Sequence, residues 1–423
     1  MNPTSNAAMA APPAATASAA PLPSSAMRIL YLNYEWDARE SSGAARHLAE
    51  LTRELRSLGH TVVTCDRHRA PDPAPGGEPG RDHDWLRLLR ARLSPRLHES
   101  AALARAVRGI APEIALIRRH QPDVVLTRHS LHQFSSLIAA RRCGIPIVFE
   151  VNAPLAHEYR RYLRQYRLLP QLAEWSEAQT LARADGVFVV SNALKRYFAA
   201  HGVMEERISV IPNGVDPARF NPAVADAEVR ARLGHDRVIV AFVGSFASFH
   251  GVELLRQAIV EVLPRRLSVT FLMVGSSPLS AALQGECRAR GYEDRVEFAG
   301  FVPPQQVPKL MAAADILLAP YAAEEFFYLS PIKLFEYLAC GRAVLTARQG
   351  QMAEVVADGE NGLLYDPRSP NAFIAQLLRL IDDPMLRARL GFNGRRTVER
   401  GYTWKTNAER VAAVLSRAGV RVH

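Results

Sequence analysis

Two successive series of strand and helix patterns constrain the fold of this chain more than any other feature. Short apolar runs alternate with helical periodicity up to the turn cluster Pro212–Asp216, and the same alternation then begins again. Such alternation, with glycines at the turns, is typical of parallel sheets covered by helices. We therefore predict an α/β protein with two Rossmann-like, doubly wound domains that face a cleft.

Six strands are predicted in each half of the 423-residue chain. In the first half they are Met27–Asn33, His60–Asp66, Asp123–Thr127, Pro146–Val151, Gly186–Val190 and Arg207–Ile211. In the second half they are Val238–Val243, Ser268–Val274, Arg295–Ala299, Asp315–Ala319, Ala343–Thr346 and Gly362–Tyr365. We place the domains at residues 27–212 and 213–402. Residues 1–26 are rich in Ala, Pro and Ser, and we expect a disordered tail rather than a signal peptide.

Composition narrows the functional classes. Lys and Arg outnumber Asp and Glu by 52 to 42, and the net charge of +10 favours phosphorylated ligands or an anionic membrane face. The four cysteines lie far apart in sequence, which indicates reduced thiols in a cytoplasmic protein and argues against a structural zinc site. No apolar run is long enough to span a bilayer.

Three loops that begin with glycine directly follow predicted strands of the second half. They are Gly244-Ser245-Phe246, Gly275-Ser276-Ser277 and Gly300-Phe301-Val302. A glycine just past a strand lets a ligand approach the backbone, and all three loops would lie at one edge of the sheet. A nucleotide site at this edge and ordinary turn chemistry explain the pattern equally well, and both interpretations stay open here.

Many ordered segments resemble the retaining, family 4 glycosyltransferases of the GT-B fold (glycosyl transferases group 1). In the second half they are GSFASFHGVELLRQAI, FLMVG, VEFAGFVPPQQVPKLMAAADILLAPY, SPIKLFEYLACGRAVLTA and DGENGLLYDP. In the first half they are SSGAARHLAELTRELRSLGHTVVT and ADGVFVVSNALKRYF, followed by RISVIPNGVDPARF. PDVVLTRHS and IPIVFEVNAPLAHE resemble a subgroup that shares the EVNAP and SPxKxFEY segments.

The resemblance implies that the enzyme transfers a sugar from a nucleotide diphosphate to an acceptor hydroxyl, with retention of configuration. The implied setting is the assembly of cell-surface polysaccharide, glycolipid or secondary metabolite, with an acceptor that a lipid could carry. The first domain would bind the acceptor and the second domain the donor. A C-terminal helix over residues 403–423 would cross back to the first domain.

The family's donor-site roles map onto individual residues. Glu336 matches the second glutamate of the E-x7-E motif, whose carboxylate accepts hydrogen bonds from the ribose hydroxyls. Lys333 lies one helical turn earlier and could meet the diphosphate or, alternatively, form an ion pair with Glu336. The remaining implied donor-binding positions are the nucleobase loop Gly300-Phe301-Val302, the loop glycine Gly43, and Ser330, Pro331 and Ile332.

Several family positions are altered in this chain. Tyr328 stands where the motif has its first glutamate, which usually contacts the donor sugar. Ser245 and His250 occupy the loop in which the family carries Arg and Lys, and the charge of His250 is open at neutral pH. Many relatives carry a histidine after the fourth strand, and here Asn152 or Glu150 could take its place.

Arg128 follows the third predicted strand at the cleft and could bind the diphosphate or an acceptor phosphate; its alternative is an ordinary surface arginine. The candidate catalytic residues are Lys333, Arg128, His250 and Asn152.

No metal or other cofactor is predicted, and the nucleotide sugar is a co-substrate. Asp82-His83-Asp84 matches a metal-binding DxD pattern, but it follows a Pro- and Gly-rich loop and is more typical of a helix N-terminus. Helices are predicted over Asp84–His120 and Glu158–Ala184. The Tyr- and Arg-rich start of the second, EYRRYLRQYR, is typical of an acceptor-binding face, a peripheral membrane face or a solvated helix, and nothing beyond charge supports nucleic acid.

Two other functional classes stay open. The altered donor positions would fit a catalytically inactive partner subunit, and the fold would also fit a nucleotide-sugar epimerase. For an active transferase we expect a cytoplasmic location, with peripheral contact to the inner membrane face.

Overall fold

A computed structural model describes residues 26–33, 43–66, 95–163 and 170–419 and contains two parallel, six-stranded sheets. The first sheet has the order β2-β1-β3-β4-β5-β6. Its strands are β1 (Arg28–Asn33), β2 (Thr61–Asp66), β3 (Val124–Arg128), β4 (Ile147–Val151), β5 (Gly186–Val189) and β6 (Ile208–Val210). Their almost fully buried apolar residues explain why the strand patterns read as continuous hydrophobic runs.

The second sheet repeats this architecture with the order β12-β11-β10-β7-β8-β9. Its strands are β7 (Val238–Val243), β8 (Val269–Val274), β9 (Val296–Gly300), β10 (Ile316–Ala319), β11 (Ala343–Ala347) and β12 (Leu363–Tyr365). All twelve strand predictions are confirmed to within a residue or two at their ends. The predicted α/β class with two Rossmann-like domains is likewise confirmed.

Helices cover both faces of the sheets. In the first domain they are α1 (Gly43–Ser57), α2 (Pro95–His120), α3 (Ser135–Cys143), α4 (Leu155–Glu158), α5 (Pro170–Ala182) and α6 (Asn192–Ala200). In the second domain they are α7 (Ala227–Leu233), α8 (Val252–Val262), α9 (Pro278–Ala289), α10 (Val307–Ala313), α11 (Ile332–Ala339), α12 (Gly350–Val355), α13 (Pro370–Asp382) and α14 (Pro384–Gly401). None of the helices in these described ranges is long and apolar enough to cross a membrane.

Within the described residues, the predicted helical segment Glu158–Ala184 is confirmed except at its last two residues. The structure has the end of α4 at Glu158, a π-helical turn at Tyr159–Leu163, and α5 over Pro170–Ala182. Residues 164–169 lie outside the described residues. The described part of the other long prediction is α2, which begins at Pro95.

Some predicted features lie outside the described residues. They are residues 1–25 of the predicted tail, Ser41 and Ser42 of the loop before Gly43, the Asp82-His83-Asp84 pattern, and the end of EYRRYLRQYR from residue 164 onwards.

The last helix, α15 (Trp404–Gly419), packs on the first domain although it follows the second in sequence. Val411 and Leu415 lie in one buried cluster with Ile29 and Leu55 of the first domain. The start of α15 contacts the interdomain turn, because the side-chain Nδ2 of Asn407 donates a hydrogen bond to the Pro212 carbonyl oxygen at 2.6 Å. The chain therefore crosses between the domains twice, which limits how far they can separate.

Close backbone packing joins the first two loops of the second domain. Gly275 has a φ of +128°, and a Cβ atom at this position would overlap the carbonyl oxygen of Gly244. Only glycine adopts this φ readily and also leaves room for the Gly244 carbonyl oxygen without moving the loops.

We expect Gly275→Ala to destabilise the protein by about 1–3 kcal/mol, because alanine would force apart two loops at a left-handed backbone position. Gly285→Ala is the matched control: Gly285 is exposed within α9, with open space around its Cβ position. This control should leave stability unchanged or raise it by up to about 1 kcal/mol. Urea denaturation of both variants measures the difference, and equal stabilities would contradict the packing argument.

Candidate active site between the two domains

The three glycine loops lie side by side at the carboxyl edge of the second sheet. The Gly244 nitrogen donates to the Val274 carbonyl at 2.9 Å, and the Gly275 nitrogen donates to the Gly300 carbonyl at 2.8 Å. Beyond Gly300, Phe301 is 71% exposed and Val302 is partly buried. This edge of the sheet therefore combines the backbone of three glycines with the exposed aromatic ring of Phe301.

The ammonium group of Lys333 packs directly against the first of these loops. A Cβ atom built on Gly244 would lie 2.5 Å from Lys333 Nζ. The nitrogen lies 4.5 Å from the centre of the Phe242 ring and 5.8 Å from that of Tyr321. Only a residue without a side chain at position 244 leaves room for the amine.

Lys333 Nζ is buried and has no hydrogen-bond partner in the described part of the chain, although the residue as a whole is partly exposed. Burial lowers the pKa of this amine to about 7, against a smaller opposing effect of the Glu336 charge. A buried cation without a counter-ion is unfavourable unless a ligand compensates it. The arrangement therefore suits an anionic ligand at Gly244.

Glu336 lies one turn further along α11 and pairs with the other domain. Its Oε1 atom accepts a hydrogen bond from an Nη atom of Arg46 on α1, and the carboxylate is almost fully buried. Burial raises the pKa of Glu336, while the charge and hydrogen bond of Arg46 oppose this effect. The alternative of a Lys333–Glu336 ion pair is therefore wrong: the partner is Arg46, which the sequence did not single out.

The start of α11 contacts both the interdomain turn and the first domain. The backbone nitrogen of Asn213 donates to Ser330 Oγ at 2.9 Å, and Asn213 Nδ2 donates to the Ser330 carbonyl oxygen at 2.6 Å. Pro331 precedes the helix, and the Ile332 side chain lies 3.6 Å from the Cβ position of Gly43. The structure thus brings together Gly43 and the segment from Ser330 to Ile332, which the sequence proposed separately.

His250 belongs to the same group of residues as Lys333. Its Nδ1 lies 3.4 Å from Ser245 Oγ, and its ring lies 5.6 Å from that of Tyr321. Burial, with a further contribution from the Lys333 charge, lowers the pKa of His250 to about 3. The imidazole is therefore neutral at physiological pH and can offer one N–H donor but no charge.

A second buried polar network lies at the carboxyl edge of the first sheet, around Glu150. Tyr31 Oη donates to Glu150 Oε2, Asn152 Nδ2 donates to Oε1 at 2.5 Å, and His47 Nε2 lies 3.1 Å from Oε1. Burial opposes ionisation, but His47, Arg128 and Tyr31 together hold the pKa of Glu150 well below its usual range. The carboxylate is thus ionised and already engaged, and it orients Asn152 and His47.

This network is connected to the interdomain turn. His47 Nδ1 lies 2.7 Å from Asn213 Oδ1, and Asn213 in turn binds Ser330. Arg128, at the end of β3, is buried close to Glu150. Of the four candidate catalytic residues, Lys333 and His250 therefore lie together in the second domain. Arg128 and Asn152 both lie close to the Glu150 carboxylate in the first domain.

Tyr328, at the altered motif position, also reaches the first domain. Its hydroxyl donates to Glu158 Oε1, and its carbonyl oxygen accepts from Ser191 Oγ at 2.7 Å. The side chain packs into the buried cluster of the first domain, and the neighbouring Phe326 ring stacks on Tyr197 at 5.2 Å. The residue that replaces the motif glutamate therefore joins the two domains.

Charges in the described part of EYRRYLRQYR are paired within the protein. Arg160 lies 2.7 Å from Glu174, and Arg161 lies 2.9 Å from Glu324 of the second domain. Within the described ranges, no three His, Cys, Asp or Glu side chains are grouped so that they could hold a metal ion.

Comparisons with known proteins match both domains. Residues 41–219 match the family model described as Glycosyltransferase Family 4, and residues 237–383 match that described as Glycosyl transferases group 1. The chain is 30% identical over 312 residues to a D-inositol 3-phosphate glycosyltransferase of Acidothermus cellulolyticus, covering 70% of this chain and 67% of that protein. It is 28% identical over 312 residues to a 2-deoxystreptamine glucosyltransferase of Streptomyces kanamyceticus, covering 71% and 80%. The solved structure of Anabaena HepE in complex with UDP aligns with a TM-score of 0.66 and 20% identity, over 92% of this chain and 100% of that one.

We expect Lys333→Met to stabilise the protein near neutral pH, because it replaces an unpaired buried amine with an apolar side chain of similar length. The folded pKa of about 7 lies below the ordinary value of 10.5, so the unfolded chain binds a proton that the native chain lacks between these values. Wild-type stability should therefore rise with pH in this window, by at most about 1.4 kcal/mol per pH unit. The advantage of the variant should shrink accordingly as the pH rises.

Chemical denaturation between about pH 7 and pH 9 measures this effect against Lys309→Met, whose amine is exposed and paired with Asp226. A Lys333→Met protein that is less stable than wild type throughout this range would show that the amine is compensated in the native protein.

Proposed function

Because this chain belongs to the group 1, family 4 glycosyltransferases, which have the GT-B fold, we propose that Lys333 and Glu336 hold its nucleotide-sugar donor. The protein is an enzyme that moves a sugar from a nucleotide donor to an acceptor. The second domain carries the proposed donor site, and the first domain would bind the acceptor.

The buried amine of Lys333 is the observation that carries this proposal. Within the described residues its Nζ atom has no hydrogen-bond partner, and it lies against Gly244, whose missing side chain leaves room for the amine. A donor diphosphate would supply the missing negative charge. The Ser245 hydroxyl and the neutral His250 imidazole lie beside it and can add hydrogen bonds.

The positive charge of Lys333 can also assist the chemical step. Negative charge accumulates on the diphosphate as the bond to the sugar breaks, and a preorganised cation in a water-excluded site stabilises that charge. We propose that Lys333 does this without a metal ion. Family resemblance supports retention of configuration, with the acceptor attacking on the face that the diphosphate leaves.

The remaining parts of the donor have positions near by. A ribose diol would bind Oε2 of Glu336, the oxygen that Arg46 does not contact, since a carboxylate readily accepts hydrogen bonds from hydroxyls. The nucleobase would lie on the loop Gly300-Phe301-Val302, whose aromatic ring is exposed. Backbone N–H groups near Gly43 and from Ser330 to Ile332 would complete the diphosphate site.

The acceptor is proposed to bind over the Glu150 network, beside Arg128 and Asn152. The two relatives named above act on D-inositol 3-phosphate and, by name, on 2-deoxystreptamine. These names support an acceptor hydroxyl on a small polyol, free or carried by a lipid. If the acceptor is lipid-linked, the net charge of +10 would favour peripheral contact with an anionic membrane. We propose that the enzyme is cytoplasmic and belongs to the subgroup with the SPxKxFEY and EVNAP segments.

Tyr328 favours a second candidate, a catalytically inactive partner subunit, because the usual sugar-contacting glutamate is absent. Incubation with nucleotide sugars, with and without polyol acceptors, separates the candidates by their products. Transferred or hydrolysed sugar supports the transferase, and nucleotide-sugar binding without any turnover supports the inactive subunit. An epimerised donor formed without acceptor would identify an epimerase.

We expect one of a panel of UDP-, GDP-, ADP- and dTDP-sugars to raise the melting temperature, because a ligand that binds only the native state stabilises it. Glu336→Ala should lose most of this shift, and chelation with EDTA should leave it unchanged. Glu261→Ala is the matched control, since Glu261 lies near the end of α8 and pairs with Arg265 at the protein surface. A full shift in Glu336→Ala would place the nucleotide elsewhere.

A further inference from the structure

We propose that Arg46 is a positioning residue of the donor site: from the first domain, it keeps Glu336 of the second domain able to accept hydrogen bonds from the ribose. This inference rests on the proposed function, because it assumes that Glu336 binds the nucleotide. It adds a residue on the opposite domain, and it makes nucleotide recognition depend on the contact between the domains.

The geometry leaves half of the carboxylate for a ligand. Arg46 lies in the first turn of α1, three residues after Gly43, and its guanidinium donates to Glu336 Oε1. No protein hydrogen bond to Glu336 Oε2 is found among the described residues, and the carboxylate is 4% exposed. Arg46 thus orients the group from one side, and the second oxygen stays available for a hydroxyl.

Arg46 is also the main charge that opposes neutralisation of Glu336. Burial raises the pKa of this carboxyl, and the charge and hydrogen bond of Arg46 are the largest effects that lower it. Arg219 and Lys333 also lower it to a smaller extent, and the pKa of Lys333 is itself reduced to about 7.

The other titratable groups around Glu336 supply no positive charge to it. On its own helix, the Tyr337 hydroxyl is bonded to Val243 and the Cys340 thiol is buried; burial raises the pKa of both, and the Glu336 charge adds to this. Arg395 of α14 donates to the carbonyl oxygens of Ala339 and Phe220. Without Arg46, the carboxyl would therefore be protonated at a higher pH than in wild type.

Protonation matters because it changes what the group can recognise. An ionised carboxylate accepts hydrogen bonds from both hydroxyls of a diol, whereas the protonated acid carries a donor and has fewer acceptor sites. Loss of Arg46 should therefore weaken nucleotide binding most at low pH, where Glu336 would be neutral. A purely structural role would weaken binding equally at every pH.

Other contacts hold α1 against the second domain when Arg46 is changed. His47 lies 2.7 Å from Asn213, Arg53 lies 3.5 Å from Asp216, and Ile332 packs against Gly43. An Arg46 variant should accordingly fold with the domains in place. Arg53→Gln is the matched control, because it removes another interdomain guanidinium from the same helix.

The experiment measures the dissociation constant of the best UDP-, GDP- or ADP-sugar by calorimetry from about pH 6 to pH 9, for wild type, Arg46→Gln, Arg46→Lys and Arg53→Gln. Each variant is compared with wild type at the same pH, so that titration of Lys333 cancels. Arg46→Gln should bind more weakly than wild type near pH 6, by about tenfold for each unit by which loss of the Arg46 charge raises the carboxyl pKa above the working pH, and the difference should shrink towards pH 9. Arg46→Lys should restore much of the affinity, and Arg53→Gln should follow wild type.

Two results would overturn the inference: unchanged affinity in Arg46→Gln, or a loss that is the same at every pH. Either result can occur while Glu336→Ala still abolishes binding, in which case the donor site stands and only the role of Arg46 falls. If wild type itself binds no nucleotide sugar, there is no affinity for Arg46→Gln to change, and the proposed donor site itself is wrong. Melting curves of the free variants confirm that they are folded.

Discussion

A buried amine that forms no hydrogen bond or ion pair within the described ranges is central to the proposed donor site of this enzyme. Lys333 Nζ is enclosed by Phe242, Tyr321 and the backbone of Gly244, and its pKa is reduced because water is excluded. Folding alone gains nothing from such a group, since an apolar side chain would fill the same space without desolvating a charge. We propose that an anion binds there during the reaction.

The surrounding elements position this amine. Pro331 directly precedes α11, whose first turn carries Lys333 and whose next turn carries Glu336. Gly244 leaves room for Nζ, and Gly275 allows the neighbouring loop to pack against Gly244. The proposed ligand site is thus made from the first turns of one helix and the ends of three parallel strands, where open α/β sheets usually bind ligands.

The site is completed by contacts between the domains. Arg46 pairs with Glu336, Asn213 joins His47 to Ser330, and Tyr328 reaches Glu158. Each contact links a residue of the donor side to a polar group of the first domain. Closure of the domains and binding of the nucleotide are therefore expected to depend on one another, which would also limit donor hydrolysis by water.

The sequence predicted those features that are local or that repeat with regular spacing. The strands were found because buried parallel strands form continuous apolar runs, and Lys333 and Glu336 were found because charged residues stand out in an apolar helix. Arg46 was missed, because helical periodicity shows that a residue lies on a polar face but not which partner that face meets across a domain boundary. The neutrality of His250 and the partner of Tyr328 were missed for the same reason, since both depend on tertiary packing.

The central claim is that Lys333 neutralises the donor diphosphate, and proton uptake on binding tests it most directly. At about pH 8 an amine with a pKa near 7 is mostly neutral, so binding of a dianionic nucleotide sugar should draw one proton onto it. Calorimetry in buffers of different ionisation enthalpy should give an uptake close to one proton for wild type and close to none for Lys333→Met. Tight binding by wild type without proton uptake would contradict the account.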